Sequence, residues 1–164
     1  MRAYGAVGDA LGAVCAAVLP VPDVMYGGDP GSRVAVCTLG SHGLLSGVGR
    51  SDVMGHVRVA ARLLSENRGI DGLVRAACGM GLRGIVVCGR DVRGHMPGHS
   101  LVMLHRNGTD GAGRIIGSSS PDPRLRCDPV HVAHFRRMIL EDLRGVEDLD
   151  MVRDISSRLA ASLR

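Results

Sequence analysis

The sequence has no lysine and no tryptophan. All 20 of its basic residues are arginine, which excludes a G-x-x-x-x-G-K-[ST] phosphate loop outright and looks like coding bias as much as selection. Aromatic residues amount to 2%, as Tyr4, Tyr26 and Phe135, so almost nothing is available for unpaired bases to stack on and nucleic-acid binding of that kind is disfavoured. C-x-x-C pairs are missing as well. The five cysteines, Cys15, Cys37, Cys78, Cys88 and Cys127, stand apart, and an odd count fits a disulfide framework badly; a reducing cytoplasm is expected. No window reaches the roughly 18 uninterrupted apolar residues of a membrane span. The apolar stretch Ala10–Val21 is too short and is preceded by Asp9, so it is read as an N-terminal helix packing on the domain, with a cleaved signal as the second choice.

What is present is ordinary for a folded chain. Its 164 residues are 45% hydrophobic and 22% charged, which fits one domain and excludes disorder or a fibrous repeat. Arginines and acidic residues are interspersed, and a net charge of +4 spread in this way describes a solvated surface better than a nucleic-acid footprint. Three short apolar runs bounded by glycine or polar turns predict buried strands: Arg33–Leu39, Gly84–Gly89 and Gly113–Gly117. Helical periodicity marks Gly69–Met80, Gly98–Asn107 and Asp148–Leu163, and Asp128-Pro129 starts a further helix. Met138–Leu143 continues that helix or begins a strand, and Met54–Leu64 reads as an edge strand although it would make a tolerable helix. Alternating strands and helices predict an α/β fold, a Rossmann-like three-layer sandwich on a mostly parallel sheet, with residues 1–21 as the added helix and 22–164 as the domain. Ligands of such folds sit beyond the carboxyl ends of the strands.

Polar residues and glycines gather at those ends. The run from Cys88 to Ser100 places Gly89, Gly94 and Gly98 around His95, so a ligand can approach the backbone closely and the imidazole can protrude just before a helix starting near Pro97. Neutral imidazole is the commonest nitrogen donor to transition metals, and Asp91 is near enough in sequence to orient the ring. On spacing alone, a ligand histidine and a surface histidine capping the next helix stand level. His95 and His99 are four apart as in H-E-x-x-H, but the intervening Glu is missing and Pro97-Gly98 interrupts the helix, while His131 and His134 have no third ligand nearby; zinc is the minor reading. Cys88 could act as a nucleophile with His95, yet it ends a buried strand, where cysteines are mostly inert. G-x-G-x-x-G does not follow the first strand.

The run Val86-Val-Cys-Gly-Arg-Asp-Val-Arg-Gly-His-Met-Pro-Gly-His-Ser-Leu101, followed by Leu104-His-Arg-Asn-Gly108 and Arg114-Ile-Ile-Gly117, resembles MtrA, the corrinoid-binding member of tetrahydromethanopterin S-methyltransferase. Gly28-Asp29-Pro30, Val34-Ala-Val36, Thr38-Leu-Gly-Ser-His42, Ser65-Glu-Asn67, Gly69-Ile70 and Val146-Glu-Asp148 agree in order, so the likeness covers about residues 22 to 162. It implies a Rossmann-like domain holding a cobamide (cobalamin or a related corrinoid), with His95 as axial ligand to cobalt. An imidazole there would support the six-coordinate methyl-Co(III) state and leave on reduction to Co(I), while the cofactor performs the transfer. By the same resemblance Thr38, Ser41, His42, Gly117 and Ser118 line the pocket with Gly89, Gly94 and Gly98. His99 stands where the family usually has glutamine and is a second candidate ligand, and Ser118–Arg124 departs from the family's Ala/Gly-rich continuation. The implied protein is a soluble methyl carrier without the family's membrane-anchoring helix, serving one methyltransferase that donates the methyl group and another that accepts it. The rival expectation is a non-corrinoid group-transfer enzyme using Cys88, His95 or His99, or a ligand-binding module, on the same scaffold.

Overall fold

The computed structural model describes residues 25–164. The N-terminal helix expected at Ala10–Val21 lies outside them. Five strands, β1 (Tyr26–Gly27), β2 (Val34–Cys37), β3 (Val59–Ala61), β4 (Gly84–Gly89) and β5 (Ile139–Arg144), form one sheet in the order β1-β3-β2-β4-β5. β3, β2, β4 and β5 run parallel, and β1 is antiparallel to β3 at the edge. The helices are α1 (His42–Gly49), α2 (Arg68–Gly79), α3 (Pro97–Asn107), α4 (Pro129–Arg136) and α5 (Leu149–Ser162), with a 3-10 turn at Asp52–Gly55.

Apolar residues without alternation become strands here because both faces are covered. Val34, Val36, Val86 and Cys88 point into one apolar layer with Leu44, Leu45 and Val48 of α1 and Val152 and Leu159 of α5. Ala35, Cys37, Ile85 and Val87 point into the other, with Ile70 and Val74 of α2, Leu101 and Leu104 of α3 and Phe135 of α4. This is the expected three-layer sandwich. The Asp128 carboxylate accepts a hydrogen bond from the Val130 N–H at 2.8 Å and starts α4 as its sequence requires.

Several segments take a form that local pattern did not select. Gly113–Gly117 is no strand of the sheet: it makes only isolated bridges, Thr109 with Ile115 and Arg114 with Arg124, and Ile115 plugs the apolar layer beneath α3. The place beside β4 is taken by β5, so Met138–Leu143 resolves as a strand paired in register from Gly84–Ile139 to Gly89–Arg144. Within Met54–Leu64 only Val59–Ala61 is strand, and it lies inside the sheet because β1 covers its outer edge. Residues His42–Gly49, which carry no clear period, form α1: three glycines lower its propensity, but burial of Leu44, Leu45 and Val48 overrides it.

Candidate functional site

After β2 the chain turns toward β3 on one side; after β4 it turns toward β5 on the other. The strand order therefore reverses at the carboxyl ends of β2 and β4, the place where doubly wound sheets open a ligand crevice. Two loops flank it, Thr38–Ser41 after β2 and Arg90–Met96 after β4. Each contains a non-glycine residue with positive φ, Leu39 at 50° and Met96 at 44°, the two such residues among those described. Backbone of this kind costs of order 1–3 kcal/mol and persists where the surroundings over-determine it, which is typical of functional sites.

His95 sits at the tip of the second loop with its side chain 59% exposed, while its partner Glu66 is 3% exposed. The imidazole Nδ1 lies 3.1 Å from Glu66 Oε2, and the other Glu66 oxygen accepts from the Asp122 N–H at 3.2 Å. With Nδ1–H donating to the carboxylate, the Nε2 lone pair faces outward. Asp91, expected to orient the ring, does something else: its carboxylate accepts from the N–H groups of Val92, Gly98 and His99 at 3.0, 2.9 and 2.8 Å. It thereby satisfies the start of α3, whose own N-cap position, Met96, has no side chain able to do so. Glu66 escaped sequence reasoning because it is 29 residues from His95, although it lies within the Ser65-Glu-Asn67 match.

The glycines each meet a different demand. Gly89 has φ +77°, and a Cβ there would lie 2.4 Å from the Thr38 carbonyl oxygen; one on Gly98 would lie 2.7 Å from Leu39 Cδ1. Gly94 has φ +80° with open space around it. Gly89 and Gly98 thus serve close packing between the two loops, and Gly94 alone presents open backbone beside the histidine. Ser41 is buried and braces the loops: its hydroxyl donates to Glu147 Oε1 at 2.6 Å and accepts from the Arg90 N–H at 2.9 Å, and Arg90 Nε closes the network onto Glu147 at 3.0 Å. Thr38 is fully buried, and its Oγ1 has no hydrogen-bond partner among the described residues. His42, at the first turn of α1, is exposed.

Gly117, at φ +83°, turns the chain into the third loop. Although no sheet strand leads there, the loop reaches the site through hydroxyls. Ser100 Oγ is 2.8 Å from Ser118 Oγ and 2.6 Å from Ser120 Oγ, and Ser120 Oγ donates to the Met96 carbonyl at 3.1 Å. The Ser119 N–H donates to His99 Nε2 at 3.3 Å, so that lone pair is already engaged. Cys88 is fully buried and Cys37 nearly so. Burial pushes the Cys37 thiol up to about 12 and the Cys88 thiol higher still, so neither supplies a thiolate nucleophile near neutral pH. Among the described residues no group of three or more His, Cys, Asp or Glu is placed to hold a metal ion. Among the described residues, cavities of about 700 and 490 Å³ lie beside α2 and at the amino ends of the strands, neither lined by His95. The His95 side chain is itself more than half exposed.

These features define a doubly wound α/β protein that presents a carboxylate-held imidazole at its switch point. The chain belongs to the MtrA family of tetrahydromethanopterin S-methyltransferase components, whose pattern residues 20–161 match. It is 37% identical over 131 residues to the second of the MtrA components of tetrahydromethanopterin S-methyltransferase in Methanothermobacter marburgensis, covering 77% of this chain and 68% of that one. It is 38% identical over 129 residues to the component of the same name in Methanothermobacter thermautotrophicus, covering 76% and 68%. To the corresponding component in Methanocaldococcus jannaschii it is 34% identical over 129 residues, covering 76% of this chain and 52% of that one. The chain thus spans between about half and two thirds of the length of these relatives.

Proposed function

We propose that this chain is a corrinoid-binding methyl carrier, working between one methyltransferase that donates the methyl group and another that accepts it. The observation that carries the reading is His95, fixed through Nδ1 by the buried Glu66 carboxylate and exposed on its other side. A histidine that ligates a metal through one nitrogen almost always donates its other N–H to a carboxylate, carbonyl or water, which fixes tautomer and ring orientation. The surroundings fit a large flat cofactor better than a small substrate. Gly94 leaves open space beside His95, Gly89 and Gly98 let the two loops pack closely beneath it, and the orphaned Thr38 hydroxyl and the Ser100–Ser118–Ser120 cluster supply polar groups. A bound cobamide would supply a cobalt centre that accepts and releases the methyl group. The residues of this chain bind and orient: His95 offers Nε2 to the metal, Glu66 holds the ring, and Ser41 and Asp91 hold the two loops. The relatives' names supply the reaction class, methyl transfer.

The test is the visible spectrum of the full chain after incubation with hydroxocobalamin and gel filtration. We expect retained cobalamin in a base-off, histidine-ligated form, and loss of that form in His95→Ala. Failure of the wild-type chain to retain cobalamin overturns the reading; retention unaffected in His95→Ala but lost in His99→Ala moves the ligand to His99. Turnover of a substrate without any cobamide would favour the rival, a group-transfer enzyme on this scaffold, which the buried Cys88 does not support.

A further inference from the structure

β5 ends the sheet beyond β4, and among the described residues no strand pairs with its outer edge. The Ile139 N–H donates to the Arg83 carbonyl at 2.9 Å and the Gly145 N–H to the Gly89 carbonyl at 2.8 Å, so the odd-numbered residues of β5 address β4. The N–H and C=O groups of Leu140, Asp142 and Arg144 therefore point outward. A row of this kind templates the addition of another strand. Asp142 and Arg144 share the face that carries Leu140, and the guanidinium Nε and Nη2 each donate to the carboxylate at 2.7 Å. The carboxylate also accepts from the Arg144 N–H at 3.3 Å, a long bond that a backbone carbonyl can replace. The opposite face of β5 is less covered. There α5 packs on β2 and β4, leaving Ile139 44% exposed and Leu143 half-buried at the margin of its layer.

We propose that a second copy of the chain adds its own β5 to this edge, antiparallel and about a two-fold axis at Leu143, so that two sheets become one. The proposal rests on β5 alone and is independent of the corrinoid reading. Charge selects both the occupant and the register. In a two-fold antiparallel ladder outward-pointing residues meet outward-pointing ones, which within β5 leaves an axis at Glu141, at Asp142 or at Leu143. The first sets Glu141 against itself and the second sets Asp142 against itself, and like charges directly opposite are destabilising. Only the third is free of this: it places Leu143 on Leu143 and sets Asp142 of each copy opposite Arg144 of the other. Each carboxylate then lies between two guanidiniums, its own and the second copy's. Gly145, at φ +87°, turns the chain out of the strand just past these residues, which confines the ladder to them. The carboxyl ends of the two sheets point in opposite directions, so the two His95 loops lie at opposite ends of the pair.

The test is sedimentation velocity of the full chain over a concentration series, read in variants whose circular dichroism matches wild type. We expect reversible dimers, weakened at least tenfold by Asp142→Arg and by Arg144→Asp, each of which sets like charges opposite one another. Mixing these two variants in equal amounts should restore association, because each supplies the charge the other lacks. A wild-type chain that stays monomeric, dimers that neither variant weakens, or a mixture that stays apart overturns the proposal. In the otherwise unmodified chain, Leu143→Cys oxidised with copper phenanthroline should join two copies of the tryptic peptide Met138–Arg144 to each other, a link that forms only between chains. Its absence, or linkage of that cysteine to another peptide in preference, would likewise overturn it.

Discussion

At the scale of single residues, the decisive contact joins a group in solvent to a group in the core. Glu66 is buried, yet both oxygens are used, one by His95 and one by the Asp122 N–H. Its replacement therefore separates two effects. Glu66→Gln keeps an amide oxygen for Asp122, so the fold should persist, while the ring loses its carboxylate. We expect cobalamin affinity, measured by spectral titration, to fall about 10- to 100-fold, the usual cost of removing such a partner. Glu66→Ala strands the Asp122 N–H and should lower stability in urea by about 1–3 kcal/mol as well. Equal affinity in wild type and Glu66→Gln would show that the carboxylate plays no part in ligation.

Among the elements, α3 depends on a residue outside it. Asp91, six positions before Pro97, receives the free N–H groups of its first turn, so the loop between them closes on itself and holds His95 at its tip. Glycines make that loop possible in unequal ways. At Gly89 a side chain would combine left-handed backbone with a collision against the Thr38 carbonyl; at Gly94 it would meet only the backbone penalty. Gly94→Ala should therefore cost about 1–2 kcal/mol, and Gly89→Ala more than that, with the excess read as a lower urea midpoint. Similar losses in both would mean that the β4 terminus relaxes away from Thr38. The α1 segment teaches the opposite lesson about glycine: Gly43, Gly47 and Gly49 argue for a loop locally, and the apolar layer makes a helix of it.

For the whole molecule, stability should depend on acid in a defined sense. Hydrogen bonds from Arg153, from the Arg114 backbone and from Arg144 hold the carboxyls of Asp52, Asp110 and Asp142 below the ordinary aspartate value of 3.8. The unfolded chain then takes up these protons first as pH falls, so their contribution is present above that value and is lost as pH drops through the folded values. The urea midpoint should be level between about pH 7 and 5 and decline below about pH 4, less steeply in Asp142→Asn. A midpoint that stays level to about pH 3 would remove these pairs from the account. The layers themselves were legible in the chain: the β2 and β4 runs, the stripes of α2 and α5, and the Asp128-Pro129 start all follow from local periodicity and capping. So did the tight loop from Gly89 to the start of α3, because glycines and a proline at close spacing act over short distances. The strand at Ile139–Arg144 did not, since Met138–Leu143 is compatible with either period and only the open edge of β4 selects one. Nor did the pairing of His95 with Glu66 in preference to Asp91. Which carboxylate meets an imidazole depends on how two loops from different strands cross above the sheet, and sequence distance carries no information about that.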